Sequence, residues 1–231
     1  MNKMENPWIE FMKNPQNECL ILDEDKLVIE KFNETANDTF RIHTEIMPAP
    51  FMGNVFEAPV LLLLTNPGYD DEEARKDYYN NYRHYWENEI QHKPSIPDLP
   101  LFCLDDKYIE KSNYWYKKLI HLINATSKEK VAKSIAKIQF FPYTSRKFKN
   151  IPNKILPGYL KSQKYNFYLV QLAMERGATI IILRSKKLWY KAIPSLEYYE
   201  NKCITKNPRN TVLSKGNLER FDEVVKIINK K

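Results

Sequence analysis

The segment Ala58-Pro59-Val60-Leu61-Leu62-Leu63-Leu64 constrains the fold of this chain more than any other. An unbroken apolar run of strand length fits a strand buried on both faces, the usual case in a parallel sheet. Thr65-Asn66-Pro67-Gly68-Tyr69 closes the run, and Asp70-Asp71-Glu72-Glu73 opens a charged, helix-compatible stretch. Acidic residues suit the first turn of a helix, where unpaired N–H groups and the macrodipole favour negative charge. Asp70 has a second use, because a carboxylate beside Asn66 can act as a general base. A strand–turn–helix of this kind presents polar side chains at the carboxyl end of the strand, where open α/β sheets hold their ligands. The turn is not a phosphate loop, since it has one Gly, no Lys and no Ser or Thr at the metal-binding position. It offers an amide (Asn66), a rigid bend (Pro67-Gly68) and a ring (Tyr69), which suit the orientation of a water and stacking on a flat ligand.

The rest of the chain alternates in the same way. A helical region is expected over roughly 8–37 with a break near Asn14-Pro15, followed by a strand-like Thr39–His43 and an irregular loop over 47–54. Helices are expected over 72–86, 113–124, 157–176, 186–192 and 217–229, and strands around Ala136–Ile138, Ala178–Leu183 and Lys202–Thr205. The helix over 157–176 stops at Gly177, a C-cap signal. Strands separated by helices imply an α/β fold with a parallel sheet. Arg184 would then stand at the same sheet edge as Asn66 and Gln139, with a buried ion pair as its structural alternative. A chain of 231 residues can bury one substantial core, so a single domain over 1–231 is expected. It would carry a helical extension over about 1–38 and an insertion over about 78–112.

Three strings, in order, carry a family resemblance: Leu64-Thr65-Asn66-Pro67-Gly68, Gln139-Phe140-Phe141-Pro142-Tyr143, and Asn207-Pro208-Arg209 running on to Ser214-Lys215. Together they resemble the uracil-DNA glycosylase superfamily, in the branches whose first motif reads Gly-x-Asn-Pro-Gly after a buried strand. Leu64 stands where those branches have Gly, Gln139 where some have Asn, and Arg209 where Ser is usual. The resemblance implies a three-layer α/β/α fold with a central parallel sheet of about four strands. It implies that Asn66 orients the attacking water, with Asp70 beside it. Base-binding positions implied in the same way are Tyr69, Gln139, Phe140 and Tyr143. Asn207, Arg209, Asn210, Ser214, Lys215 and Arg184 would contact DNA. Gln is one methylene longer than Asn, so the reading amide is displaced by about one C–C bond length, enough to alter base selectivity. Cys19, Cys103 and Cys203 are scattered, so the iron–sulfur cluster of the four-cysteine branches is not expected.

Charge is divided along the chain. Residues 1–110 carry a net −12 and residues 111–231 a net +19. Arg146-Lys147-Phe148-Lys149, Lys161–Lys164, Arg184–Lys187 and Lys202–Arg220 are interleaved with Tyr143, Tyr165, Trp189 and Tyr190. Cations neutralise phosphates and rings stack on unpaired bases, so this half suits nucleic acid, although lysine as a default surface residue produces the same count. The acidic half suits a protein partner. His43, His84, His92 and His121 show no ligand spacing, and no metal or cofactor is expected. The N-terminal residues lack an apolar leader core, and no apolar run approaches the roughly 20 residues of a bilayer span, so a cytoplasmic monomer is expected. The function expected is hydrolysis of the N-glycosidic bond of a damaged or mismatched base in DNA. Its alternatives are a non-catalytic nucleic-acid-binding module or a nucleoside or nucleotide hydrolase on the same fold.

Overall fold

The computed structural model describes residues 3–13, 19–68, 81–93, 95–111 and 113–230. Five strands form one sheet: β1 (Phe51–Met52), β2 (Val60–Leu64), β3 (Ile135–Gln139), β4 (Thr179–Ile182) and β5 (Lys202–Ile204), in the order β1-β3-β2-β4-β5. Among the described residues the helices are α1 (Trp8–Phe11), α2 (Asp23–Asn33), α3 (Arg83–Ile90), α4 (Asp106–Lys111) and α5 (Tyr114–Ala125). After these come α6 (Lys128–Ser134), α7 (Lys161–Glu175), α8 (Lys186–Ala192) and α9 (Phe221–Asn229).

The class is α/β, and the sheet is mixed rather than all parallel. β2 pairs in parallel with β4, Leu61 opposite Ile180 and Leu63 opposite Ile182, and β4 pairs in parallel with β5. The addition is β1, antiparallel to β3, with Phe51 opposite Ile138 and Met52 opposite Lys137. The sequence reads as a loop there because two residues make no period. What makes the strand possible is Gly53, at φ +87°, where a Cβ would lie 2.8 Å from the Ile135 carbonyl oxygen. The chain must pass against β3 there, and no side chain fits.

Every residue of β2, β3 and β4 is buried, as their apolar runs require. Lys137 is the exception in chemistry, and its ammonium lies 4.1 Å from the centroid of the Trp115 ring. Side chains close the backbone at strand ends: Trp189 Nε1 donates to Leu64 O, Arg176 Nη2 to Ala58 O and Tyr199 Oη to Ala178 O, at 3.0, 2.8 and 2.7 Å. Ser127 caps α6 by accepting from Lys130 N, and α6 then runs directly into β3.

The chain resolves into two compact units, each discontinuous in sequence. One comprises 1–50, 65–93 and 139–168, and holds α1, α2, α3 and the first half of α7. The other comprises 51–64, 94–138 and 169–231, and holds the sheet up to Ile138 together with α4–α6 and α8–α9. The expected strand at Thr39–His43 is a turn, followed by a single antiparallel bridge between His43 and Thr144. The expected helices over 157–176 and 217–229 start late, at Lys161 and Phe221. Asn14-Pro15, Tyr69 and the whole acidic run 70–73 lie outside the described residues.

Candidate functional site

Beyond β2 the chain enters Thr65–Gly68, and beyond β3 it enters Phe140–Lys147. These two loops are laced together within the first unit. Phe141 N donates to Thr65 O at 2.8 Å and Ser145 N to Pro67 O at 3.3 Å. A third segment joins them, with Ala49 N donating to Pro142 O at 3.0 Å and Gln139 N to Pro50 O at 2.8 Å.

Asn66 is half-buried at the centre of this lacing. Its Nδ2 donates to Ser145 Oγ at 3.0 Å, to Pro67 O at 3.0 Å and to Ser145 O at 3.4 Å. Two of these acceptors are peptide carbonyls, which only the NH2 end of an amide can satisfy, so the side chain has one chemically sensible orientation. Ser145 Oγ passes its own hydrogen to Lys147 O at 3.1 Å. Asn66 Oδ1 is left as an acceptor to which no described residue donates. An amide oxygen cannot remove a proton at neutral pH, but it can hold a water by one of its hydrogens.

Gln139 ends β3 and is buried. Its main-chain carbonyl accepts from Asn166 Nδ2 at 2.8 Å, while its side-chain Oε1 is buried without a hydrogen-bond partner among the described residues. Asn166 Oδ1 is in the same condition. Unpaired buried acceptors cost about 1–3 kcal/mol each in a folded protein, so their retention needs a reason. Beside them Gln163 Nε2 donates to Phe140 O at 3.2 Å. The first half of α7 therefore lays amide side chains along the chain that leaves β3.

The other two positions of the same loop expected to bind a base, Phe140 and Tyr143, lie inside the protein. Phe140 packs among Phe167, Phe148 and Tyr159 with ring centroids 5.2, 6.1 and 6.1 Å away, and is 1% exposed. Tyr143 is fully buried, and its hydroxyl donates to Asp25 Oδ2 at 2.8 Å while accepting from Leu22 N at 3.3 Å. As packed, neither ring presents a face to a base. Tyr69 and Asp70 are outside the described residues.

Asp25 was not among the residues the sequence singled out, and it is the most deeply buried carboxylate described. Its Oδ1 accepts from Lys161 N at 2.8 Å and its Oδ2 from Ser162 N at 3.4 Å, so it caps α7 from a distant part of the chain. Burial pushes its carboxyl above the ordinary carboxylate range, against the lowering effect of these bonds, and burial with the Asp25 charge pushes the Tyr143 phenol well up. A signal existed: Asp25, Ile29 and Phe32 form one stripe of α2, so an acid stands where the helix period calls for an apolar residue. Ser162 and Asn166 interrupt the buried face of α7 in the same manner, ahead of Val170 and Ala173. Ser145 had no such signal.

The proposed DNA contacts belong to the second unit. Arg184 follows β4 and is exposed, which removes the buried ion pair as its role. Asn207, Arg209, Asn210 and Lys215 are exposed and Ser214 is half-buried. Their loop is held open by one buried residue: Asn217 Oδ1 accepts from Asn207 N at 2.8 Å, and its Nδ2 donates to Val212 O at 2.9 Å. Asn207 Oδ1 in turn accepts from Arg209 N at 3.0 Å, an Asx turn that lifts Pro208 and Arg209 outward. Lys215 is paired with Asp222 at 2.9 Å.

Among the described residues no cluster of three or more His, Cys, Asp or Glu side chains could hold a metal. Cys103 and Cys203 are buried, and burial pushes the Cys203 thiol up to about 12, so it is no nucleophile. No described helix is long and apolar enough to cross a membrane. Comparison with protein-family models, with curated proteins and with solved structures found no match for the chain.

Proposed function

We propose that this chain is a divergent relative of the uracil-DNA glycosylase superfamily that hydrolyses the N-glycosidic bond of a damaged or mismatched base in DNA. The observation that carries the reading is Asn66: its NH2 is tied to Ser145 and to two carbonyls, and its Oδ1 is left to accept from a water. In such a reaction the water oxygen bonds to C1′ while the C1′–N bond breaks, and its electron pair leaves with the base. Asn66 orients the water, and the proton released passes to solvent or to the Asp70 carboxylate. The buried Gln139 Oε1, lacking a donor, fits an acceptor reserved for a base N–H. The α/β class is compatible with a three-layer α/β/α fold, and the sheet departs from the superfamily's parallel one of about four strands by its fifth, antiparallel strand β1.

One observation favours a second reading, a nucleic-acid-binding module without chemistry. Phe140 and Tyr143 are covered by their neighbours, so a base would have to find its stacking partner elsewhere. The two readings part in one assay. Oligonucleotides carrying uracil, mismatched thymine, hypoxanthine, xanthine or alkylated bases are incubated with the protein and then with alkali, single- and double-stranded. Strand breaks that vanish in Asn66→Ala establish the glycosylase. Gln139→Leu should then fold at least as well as the parent, having lost a buried unpaired acceptor, while base selectivity collapses. Salt-dependent binding with no breaks on any substrate leaves the binding module.

A further inference from the structure

Arg184 follows β4 at the carboxyl edge that β4 shares with β5. Ile182 pairs with Ile204, so Leu183 and Thr205 leave adjacent parallel strands at one edge. Thr205 Oγ1 donates to Leu183 O at 3.2 Å, which ties the start of the C-terminal loop to the residue preceding Arg184. Near its other end the same loop is tied to α5, where Leu213 N donates to Lys118 O at 2.9 Å. One loop therefore connects the neighbourhood of Arg184 to that of Lys118.

Lys118 lies four residues after Tyr114, on the same face of α5, and its ammonium is 5.2 Å from the centroid of the Tyr114 ring. Tyr114 is 49% exposed, one of the few large hydrophobic side chains that stand out from the surface among the described residues. Burial, and after it the charge of Arg184, lower the Lys118 pKa. Neither forms an ion pair with a described residue. Two like charges without a carboxylate, next to an exposed ring, are matched by a ligand with an anionic group and a flat π-face.

We infer that Tyr114, Lys118 and Arg184 form a nucleotide subsite for single-stranded nucleic acid, the cations taking a backbone phosphate and Tyr114 an unpaired base. Stacking on an aromatic ring is tolerant of sequence and phosphate contact is blind to it, so the subsite grips a strand without reading it. The inference rests on the nucleic-acid part of the proposed function and is independent of base release.

Fluorescence anisotropy with a labelled oligothymidylate of about twelve nucleotides tests it, with oligouridylate, duplex DNA and inorganic polyphosphate as competitors. Tyr114→Ala should weaken single-strand binding about tenfold, while Tyr114→Phe, which keeps the ring, should bind as the parent does. Lys118→Gln and Arg184→Gln should each reduce the slope of log K against log salt by about 0.7. Competition by oligouridylate equal to that by oligothymidylate would show that the subsite takes either sugar. Parental affinity in Tyr114→Ala, or displacement by polyphosphate as effective as by oligonucleotide, overturns the subsite. Base release by a protein whose binding ignores all three cation and ring substitutions also overturns it and leaves the glycosylase standing. Failure of the parent to bind any nucleic acid overturns both.

Discussion

The Asn66 amide nitrogen lies 3.0 Å from the Ser145 hydroxyl oxygen, joining two loops that are 79 residues apart in the chain. The hydroxyl has one hydrogen and gives it to Lys147 O, so its lone pair is what Asn66 Nδ2 meets. The direction of the amide, and with it the acceptor offered to a water, is set from across the fold.

Ser145→Ala tests that relationship. The two carbonyl acceptors of Asn66 Nδ2 remain, so the side chain loses one anchor of three and gains freedom to rotate. In a base-release assay kcat should fall on the order of tenfold with KM unchanged, because a misplaced water affects the transition state and not substrate binding. A change in KM alone would place Ser145 in binding.

Asp25 gives a stability prediction. Asp25→Ala leaves the Tyr143 hydroxyl without its acceptor and the first N–H groups of α7 without their cap. Unfolding in urea should show a loss of about 3 kcal/mol, since hydrogen bonds to a buried charged group are worth roughly 1.5–3 kcal/mol and unpaired donors add to the cost. Asp25→Asn keeps one carbonyl oxygen and should lose less. Because burial raises the carboxyl pKa in the folded protein, the contribution of this group is greatest in acid, below its unfolded pKa. It declines as pH rises through the folded value.

His92 works in the other direction. Its Nε2 is 2.7 Å from the Tyr165 hydroxyl, and burial lowers its pKa to about 4 from 6.5. Between those values the unfolded chain binds a proton that the folded protein refuses. The stabilisation is complete above about pH 6.5 and is lost as pH falls toward 4, amounting to about 3 kcal/mol over the full window. His92→Gln should flatten the dependence of the urea midpoint on pH between 7 and 4.5. An unchanged slope would assign the acid sensitivity to another group.

Much of the scaffold is legible in the chain because its signals are local. The runs Val60–Leu64 and Thr179–Ile182 are apolar on both faces and became central strands, and the period of α5 and the cap at Gly177 marked their helices. The antiparallel strand β1 was hidden because two residues have no period, and what admits it is the clearance between Gly53 and Ile135.

The sequence by itself determined the strands β2–β5, the helices α5 and α7–α9 apart from their first turns, the division of charge, and the amide in the turn after β2. The tertiary structure decided what that amide faces. It also paired Tyr143 with Asp25, covered the ring of Phe140, and left Gln139 Oε1 without a donor. Helix and strand propensities act between residues a few positions apart, so they can be read along the chain. A hydrogen bond between residues separated by 79 or 118 positions has no periodicity, and it comes into being only when the backbone has brought its two ends together.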